Sequence, residues 1–303
     1  MSDIEPVFDG ALPQSPIIKL ESLVGLQTRL EIMDIGAACI AEVPIYKSLV
    51  EQDLAHLHAF EGDKRQVLKI QETYGDRVTV YPVFLFDGSK QTVYLTAEAS
   101  GMTSLLPPRK HAQKFFNGFE QFGNVIKTET LDTRRLDDIA GMPFVDFLKM
   151  DIQGAELTVL KNGESVLQQC VAIQLEVSFV GLYESQPTFG EVDVWMRSKG
   201  FMPHCFLDVK RWSISPTIRN NNFRIPFNQL LEADIVYIRD PLTASEWSDE
   251  QLRKLIIIAH ECFASPDLAM FLILELLSRY PSNSEKDSIK EKYLAIVNRQ
   301  NSK

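Results

Sequence analysis

From Leu30 to Arg239 the chain alternates short apolar runs with stretches of helical periodicity, and nothing else in it limits the possible folds as tightly. Leu30–Ile35 reads as a buried strand that ends in Asp34, Gly36 and Ala37. Pro44 suits the first turn of a helix through Tyr46, Leu49 and Val50. Leu54–Phe60 is a second strand ending at Glu61, and Asp63 can cap the helix that follows through Val67, Leu68 and Ile70. Val78–Phe86 reads as a third strand, closed by Asp87-Gly88. After an irregular stretch the alternation resumes with a strand at Val145–Met150, a helix at Gly154–Leu160, a strand at Val171–Val177 and a helix at Phe189–Lys199. Phe201–Asp208 and Asp234–Arg239 are two further strands. Such alternation implies a mainly parallel sheet with helices on both faces and right-handed crossovers. No helix separates the last two strands, so they are expected to pair antiparallel.

The expected organisation is an N-terminal arm over 1–24, a sheet domain over 25–240 and a helical appendage over 241–303. The arm is irregular, with Pro6, Pro13 and Pro16. In the appendage, Ser248 and Gln251 form a capping-box pattern ahead of Leu252, Leu255, Ile256 and Ala259. Ser265-Pro266 opens a second helix through Leu277, Pro281 breaks it, and Lys286–Asn298 reads as a third. The apolar faces of these helices need burial, either within the chain or in a homodimer built through them.

With 31 basic against 41 acidic residues the net charge is −10. That balance argues against a nucleic-acid binder, which needs basic patches to displace counterions. Cys39, Cys170, Cys205 and Cys262 are too scattered for a zinc knuckle or a CxxC pair. The first ten residues carry Asp3, Glu5 and Asp9 rather than a basic-then-apolar leader. No run approaches the roughly 18 apolar residues of a membrane span. A cytoplasmic location is the expectation.

The informative cluster is Asp34-Ile35-Gly36-Ala37 followed by Glu61. In an open parallel sheet, ligands bind beyond the carboxyl ends of the central strands. Gly36 lets a ligand approach the backbone, and Glu61, at the tip of the next strand, can accept hydrogen bonds from both hydroxyls of a ribose. The acid serves nicotinamide and S-adenosyl cofactors equally. The glycine count separates them: a pyrophosphate wants G-x-G-x-x-G, whereas this turn has one glycine and a bulky Ile40.

The run Asp146 to Glu156, with Lys149, Asp151, Gly154 and Glu156 at its fixed positions, resembles the signature of FkbM-type methyltransferases. Leu175-Glu176-Val177, Tyr183, Gln186-Pro187, Phe189 and Gly200-Phe201 continue the resemblance. Upstream, Asp34 to Ala37, Phe60-Glu61 and Gly101-Met102-Thr103-Ser104 look like family elements in the expected order. The resemblance runs from about Leu30 to Phe206. It implies a Rossmann-like, seven-stranded α/β methyltransferase sheet, S-adenosylmethionine as methyl donor, and as acceptor a small-molecule hydroxyl on a sugar or other natural product. Asp34, Gly36, Ala37, Glu61, Ser104 and Asp151 are the expected cofactor contacts. Relatives typically carry a further glycine near Ile40, so a non-catalytic protein that keeps the fold is the competing reading.

A hydroxyl is a poor nucleophile until its proton is removed. Asp151 is the leading base or acceptor-orienting carboxylate, and Glu176 is the second carboxylate at the cleft. Together they could instead hold a divalent cation, since hard metals want carboxylate oxygens. His56 and His58 share one face of their strand, with no third ligand near in sequence, and read as structural. His111 and His204 are alternative bases if the cleft reaches them. Phe115, Phe116, Phe119 and Phe122 read as a helix packed on the domain or as an apolar wall over the acceptor.

Overall fold

The computed structural model describes residues 18–37, 43–62, 64–97, 100–280 and 284–301. Ala38–Ile40 and Asp63 lie outside these residues, as do Pro281 and the three prolines of the N-terminal arm. Contacts divide the chain into two compact units, one of residues 29–240 and one joining 18–28 to the segment from Pro241 onward.

In chain order the first helix, α1 (Leu20–Val24), belongs to the smaller unit. The larger unit then runs β1 (Leu30–Ile35), α2 (Lys47–Glu51), β2 (Ala55–Phe60), α3 (Lys64–Tyr74), β3 (Val78–Tyr81), β4 (Lys90–Leu95), α4 (Lys110–Phe115), α5 (Phe119–Phe122), β5 (Lys127–Asp132), β6 (Phe147–Met150), α6 (Glu156–Lys161), β7 (Ala172–Ser178), α7 (Phe189–Ser198), β8 (Phe201–Arg211) and β9 (Leu230–Arg239).

Seven strands form one sheet in the order β3-β2-β1-β6-β7-β9-β8. The pairs β1–β2, β1–β6, β2–β3 and β6–β7 are parallel, and β9 is antiparallel to both β7 and β8. This is the expected α/β architecture. β1 and β7 are buried almost throughout, as strands covered on both faces must be. The core packs Met33, Ile35, Leu148, Met150, Leu160, Leu175 and Ile235 together. The chain builds outward from β1 through β2 to β3, then returns to lay β6 on the other side. The switch point therefore lies between β1 and β6, where a crevice opens in such sheets.

Three local expectations change. The third strand stops at Tyr81 rather than Phe86, because Pro82 has no N–H to continue the ladder. The irregular region holds a two-stranded antiparallel sheet, β4 with β5, whose partners lie far apart in sequence. The aromatic stretch is two short helices, not one: the chain breaks at Gly118 (φ +81°), where the Asn117 amide donates to Ser213, Ile214 and Thr217.

In the smaller unit, α8 (Asp249–Glu261), α9 (Pro266–Ser278) and α10 (Ser284–Asn301) follow Pro241. Ser248 and Gln251 make the expected reciprocal capping box. α8 buries Leu252, Leu255, Ile256 and Ile258, and α9 buries Leu268, Leu272 and Ile273. The Glu250 carboxylate accepts the N–H groups of Gln27 and Thr28, tying residues 18–28 to these helices. No helix among the described residues is long and apolar enough to cross a membrane.

Candidate active site

The sheet register assembles a row of polar side chains along one edge of the larger unit. Asp34 on β1 stands opposite Lys149 on β6, which stands opposite Gln174 on β7. One step further along, Glu176 on β7 faces Asp234 on β9. Lys210 on β8 faces Glu232 on β9. Glu61 and Gly36 follow the ends of β2 and β1, and Asp151 follows β6. All of these line one cavity of about 920 Å³. That volume lies in the range of small-molecule sites, roughly 300–1,000 Å³.

Gly36 is fixed by the fold itself. Its φ is +81°, and a Cβ at this position would lie 2.1 Å from the backbone oxygen of Asp151. The strand ends flanking the switch point thus touch through their backbones. The Gly36 and Ala37 N–H groups both donate to the Phe60 carbonyl. Those two amides are spent and are not available to hold an anion. Close approach recurs beside Glu61, where the Phe84 ring lies 2.1 Å from the place a Gly62 Cβ would take.

Asp34 is 1 % exposed. Its Oδ2 accepts from the Tyr46 hydroxyl, and its Oδ1 pairs with Lys149 Nζ at 3.6 Å. Burial pulls the Lys149 pKa down, but Asp34, Asp151 and Asp234 outweigh it and leave the value above normal. Lys149 is therefore charged, and it offsets three carboxylates under the cavity.

Asp151 is half-buried and Glu176 buried. Gln153 Nε2 donates to Asp151 Oδ1 and to Glu176 Oε2, each at 2.9 Å. Gln153 Oε1 accepts from the Tyr183 hydroxyl at 2.9 Å, and Gln153 O accepts from Ser104 Oγ at 2.7 Å. Ser104 Oγ also accepts the Leu106 N–H. Ser104 thus lines the cavity while its hydroxyl ties two loops together. Glu176 Oε1 receives Lys210 Nζ at 3.4 Å, and Lys210 reaches Glu232 at 3.0 Å. Burial, then the charges of Asp151 and Glu232, hold the Glu176 carboxyl well above the usual range, with Lys210 opposing. Glu156 is also buried. Its Oε1 accepts the N–H groups of Ile152 at 3.0 Å and Gly154 at 3.1 Å, so it braces the loop that carries Asp151 and Gln153. Burial pushes its carboxyl up to about 7, while those backbone bonds pull the other way.

The cavity also has an aromatic wall of Phe119, Phe122 and Trp212. Ring centroids of Trp212 and Phe119 are 5.2 Å apart, and the indole N–H is used on the Asn117 carbonyl at 2.8 Å. Arg224 lies over the Phe122 ring at 5.6 Å.

Asp34, Gly36, Ala37, Glu61, Ser104, Asp151 and Glu176 are thus brought to one cavity. His111 and His204 do not line it. His56 bonds Thr79, and His58 bonds Glu31 and Tyr81. Among the described residues no three His, Cys, Asp or Glu side chains form a metal-holding group. Sequence reasoning passed over Gln153, Lys210 and Glu232. Gln153 sits inside the Asp151–Glu156 run, but nothing in its type marks it. The other two come together only through the antiparallel return of β8 and β9.

The sequence profile described as Methyltransferase FkbM domain matches residues 35–203. The 2-O-methyltransferase NoeI of Sinorhizobium fredii (strain NGR234) is 30% identical over 167 residues, which are 51% of this chain and 66% of that protein. The aligned part thus spans just under two thirds of that relative. Among solved structures, a putative methyltransferase from Thermoplasma acidophilum aligns with a TM-score of 0.37 at 10% identity, over 71% of this chain and 70% of its own. Magnesium protoporphyrin IX methyltransferase from Synechocystis PCC 6803, solved with bound SAM, aligns at 0.34 and 12%, over 73% and 78%.

Proposed function

We propose that this chain, which belongs to the FkbM methyltransferase domain family, transfers a methyl group from S-adenosylmethionine to a hydroxyl oxygen of a small-molecule acceptor. The observation that carries the reading is the row of side chains across the switch point, with Glu61 and Gly36 on one side of Asp151 and Glu176 on the other, all on one cavity. The name of the NoeI relative supports oxygen as the accepting atom.

The residues present fit such a donor. Six carboxylates line the cavity (Asp34, Glu61, Asp151, Glu176, Glu232 and Asp234) against four cations (Lys47, Lys149, Lys210 and Arg224), a balance suited to a cationic ligand. The spent amides of Gly36 and Ala37 disfavour a pyrophosphate at the same turn. When bound, the donor supplies a methyl carbon already activated by the positive sulfur. Glu61 would accept from the ribose hydroxyls, with the Gly36–Ala37 backbone beside it.

Asp151 would take the proton of the acceptor hydroxyl as its oxygen receives the methyl group. Asp151 is preferred to Glu176 because it is half-buried at the cavity, whereas Glu176 is buried with one oxygen on Gln153 and the other on Lys210. Trp212 follows Lys210 by two residues, and Lys210 touches Glu176. The aromatic wall is therefore assigned to the acceptor, which it holds by proximity rather than by hydrogen bonds.

The test is transfer of labelled methyl from S-adenosylmethionine to a panel of hydroxylated small molecules. Wild-type protein labels at least one of them and Asp151→Asn slows that transfer by about 10²–10⁴-fold, the usual worth of a general base. Undiminished transfer by a folded Asp151→Asn protein overturns the assignment of the base.

A further inference from the structure

Gln153 joins the two carboxylates of the site, and we infer that it is a positioning residue: Tyr183 holds its amide so that a single NH₂ group binds Asp151 and Glu176 together and fixes both at the cavity wall. The inference rests on the methyl-transfer reading only for what Asp151 does next.

Three observations carry it. Both bonds from Nε2 are 2.9 Å long, so Asp151 Oδ1 and Glu176 Oε2 lie no more than twice that distance apart. Two carboxylates that close repel unless a donor stands between them. Gln153 supplies one hydrogen to each and brings no charge, so it holds the pair without neutralising it as a lysine would. Secondly, the amide has one sensible orientation. Tyr183 donates to Oε1, and burial followed by the nearby Glu176 charge keeps that phenol protonated. A flipped amide would aim its oxygen at the two carboxylates. Thirdly, the Gln153 backbone has φ +57°, a left-handed conformation uncommon outside glycine. Its carbonyl is held there by Ser104, and the preceding and following N–H groups by Glu156. Strain of this kind persists where the surroundings over-determine the geometry, commonly at a functional site. The other charged groups bearing on the pair are Lys149 from β6, Lys210 from β8, Glu232 from β9 and Glu156 from α6.

The experiment is a carboxyl ¹³C NMR titration of the full chain without donor or acceptor, with Glu176 assigned through Glu176→Gln. Hydrogen bonds to a carboxylate favour its charged form. Gln153→Leu therefore raises the Glu176 midpoint by about one pH unit, a tenfold change in proton affinity. Tyr183→Phe, which only frees the amide to turn, moves it the same way by less. A purely structural Gln153 would change the melting temperature and leave these midpoints alone. Folded variants with unmoved midpoints overturn the proposal. If Gln153→Leu does not fold, Tyr183→Phe decides alone by the same criterion. A protein that binds no S-adenosylmethionine would sink the methyl-transfer reading without touching this result.

Discussion

The backbone carbonyl of Asp151 occupies the place where a side chain on Gly36 would begin, 2.1 Å from an ideal Cβ. The ends of β1 and β6 can approach this closely because residue 36 has nothing beyond its Cα, and the crevice of the sheet opens at that contact. Ligand access, the reason sequence alone offers for this glycine, is secondary to a steric demand from within the fold. Gly36→Ala should cost about 3–4 kcal/mol, the left-handed penalty plus a forced shift of one strand end. Gly200 has nearly the same φ, +79°, and nothing within 4 Å of its Cβ position. Gly200→Ala should therefore cost only about 1–2 kcal/mol. Urea unfolding of the two variants separates conformation from clash.

Glu156 links stability to pH. Its carboxyl rises from 4.5 to about 7 because it is buried. The folded state thus binds the proton more tightly than the unfolded chain. The resulting stabilisation is fully present below about pH 4.5 and is lost as pH rises through about 7. Glu156→Gln keeps an acceptor for Ile152 and Gly154 but cannot ionise. It should remove about 3 kcal/mol of the decline in unfolding free energy between those pH values. Glu156→Ala should destabilise at every pH by about 1–3 kcal/mol, because two N–H groups lose their acceptor.

The Asp34–Lys149 pair makes a further prediction. Asp34 is buried and leans on Lys149 and the Tyr46 hydroxyl. Lys149→Met should cost about 3–5 kcal/mol, the usual result of stranding a buried charge. Tyr46→Phe should cost about 1–3 kcal/mol. Adding Asp34→Asn to Lys149→Met should recover part of the loss, a non-additivity that a double-mutant cycle measures directly.

Much of the sheet was legible because its strands are short apolar runs with clear ends. β1 has the boundaries its sequence predicts, and β6 and β7 deviate by a residue or two at their ends. β4 and β5 were not legible as a pair. Lys127–Asp132 is polar but for Leu131, exposed at all its other positions, and meets a partner more than 30 residues away. Asp34, Gly36, Glu61 and Asp151 could be picked out because each stands at the end of an apolar run, where a parallel sheet places its ligands. Gln153 could not, since its role depends on a left-handed backbone and on side chains from β7 and the Tyr183 loop. Lys210 and Glu232 depend on the register of two antiparallel strands with bulges between them, which periodicity does not encode.

On the proposed reading, the turn after β1 and the acid after β2 hold an S-adenosyl donor beside Asp151. Isothermal titration of S-adenosylmethionine into wild-type and Glu61→Ala protein tests it most directly. Saturable one-to-one binding by the wild type, weakened about tenfold or more by Glu61→Ala, is the predicted result, since a carboxylate taking two hydroxyl hydrogen bonds is worth about 1.5–3 kcal/mol or more. No heat of binding from the folded wild-type protein, or equal affinity in the two proteins, would contradict it.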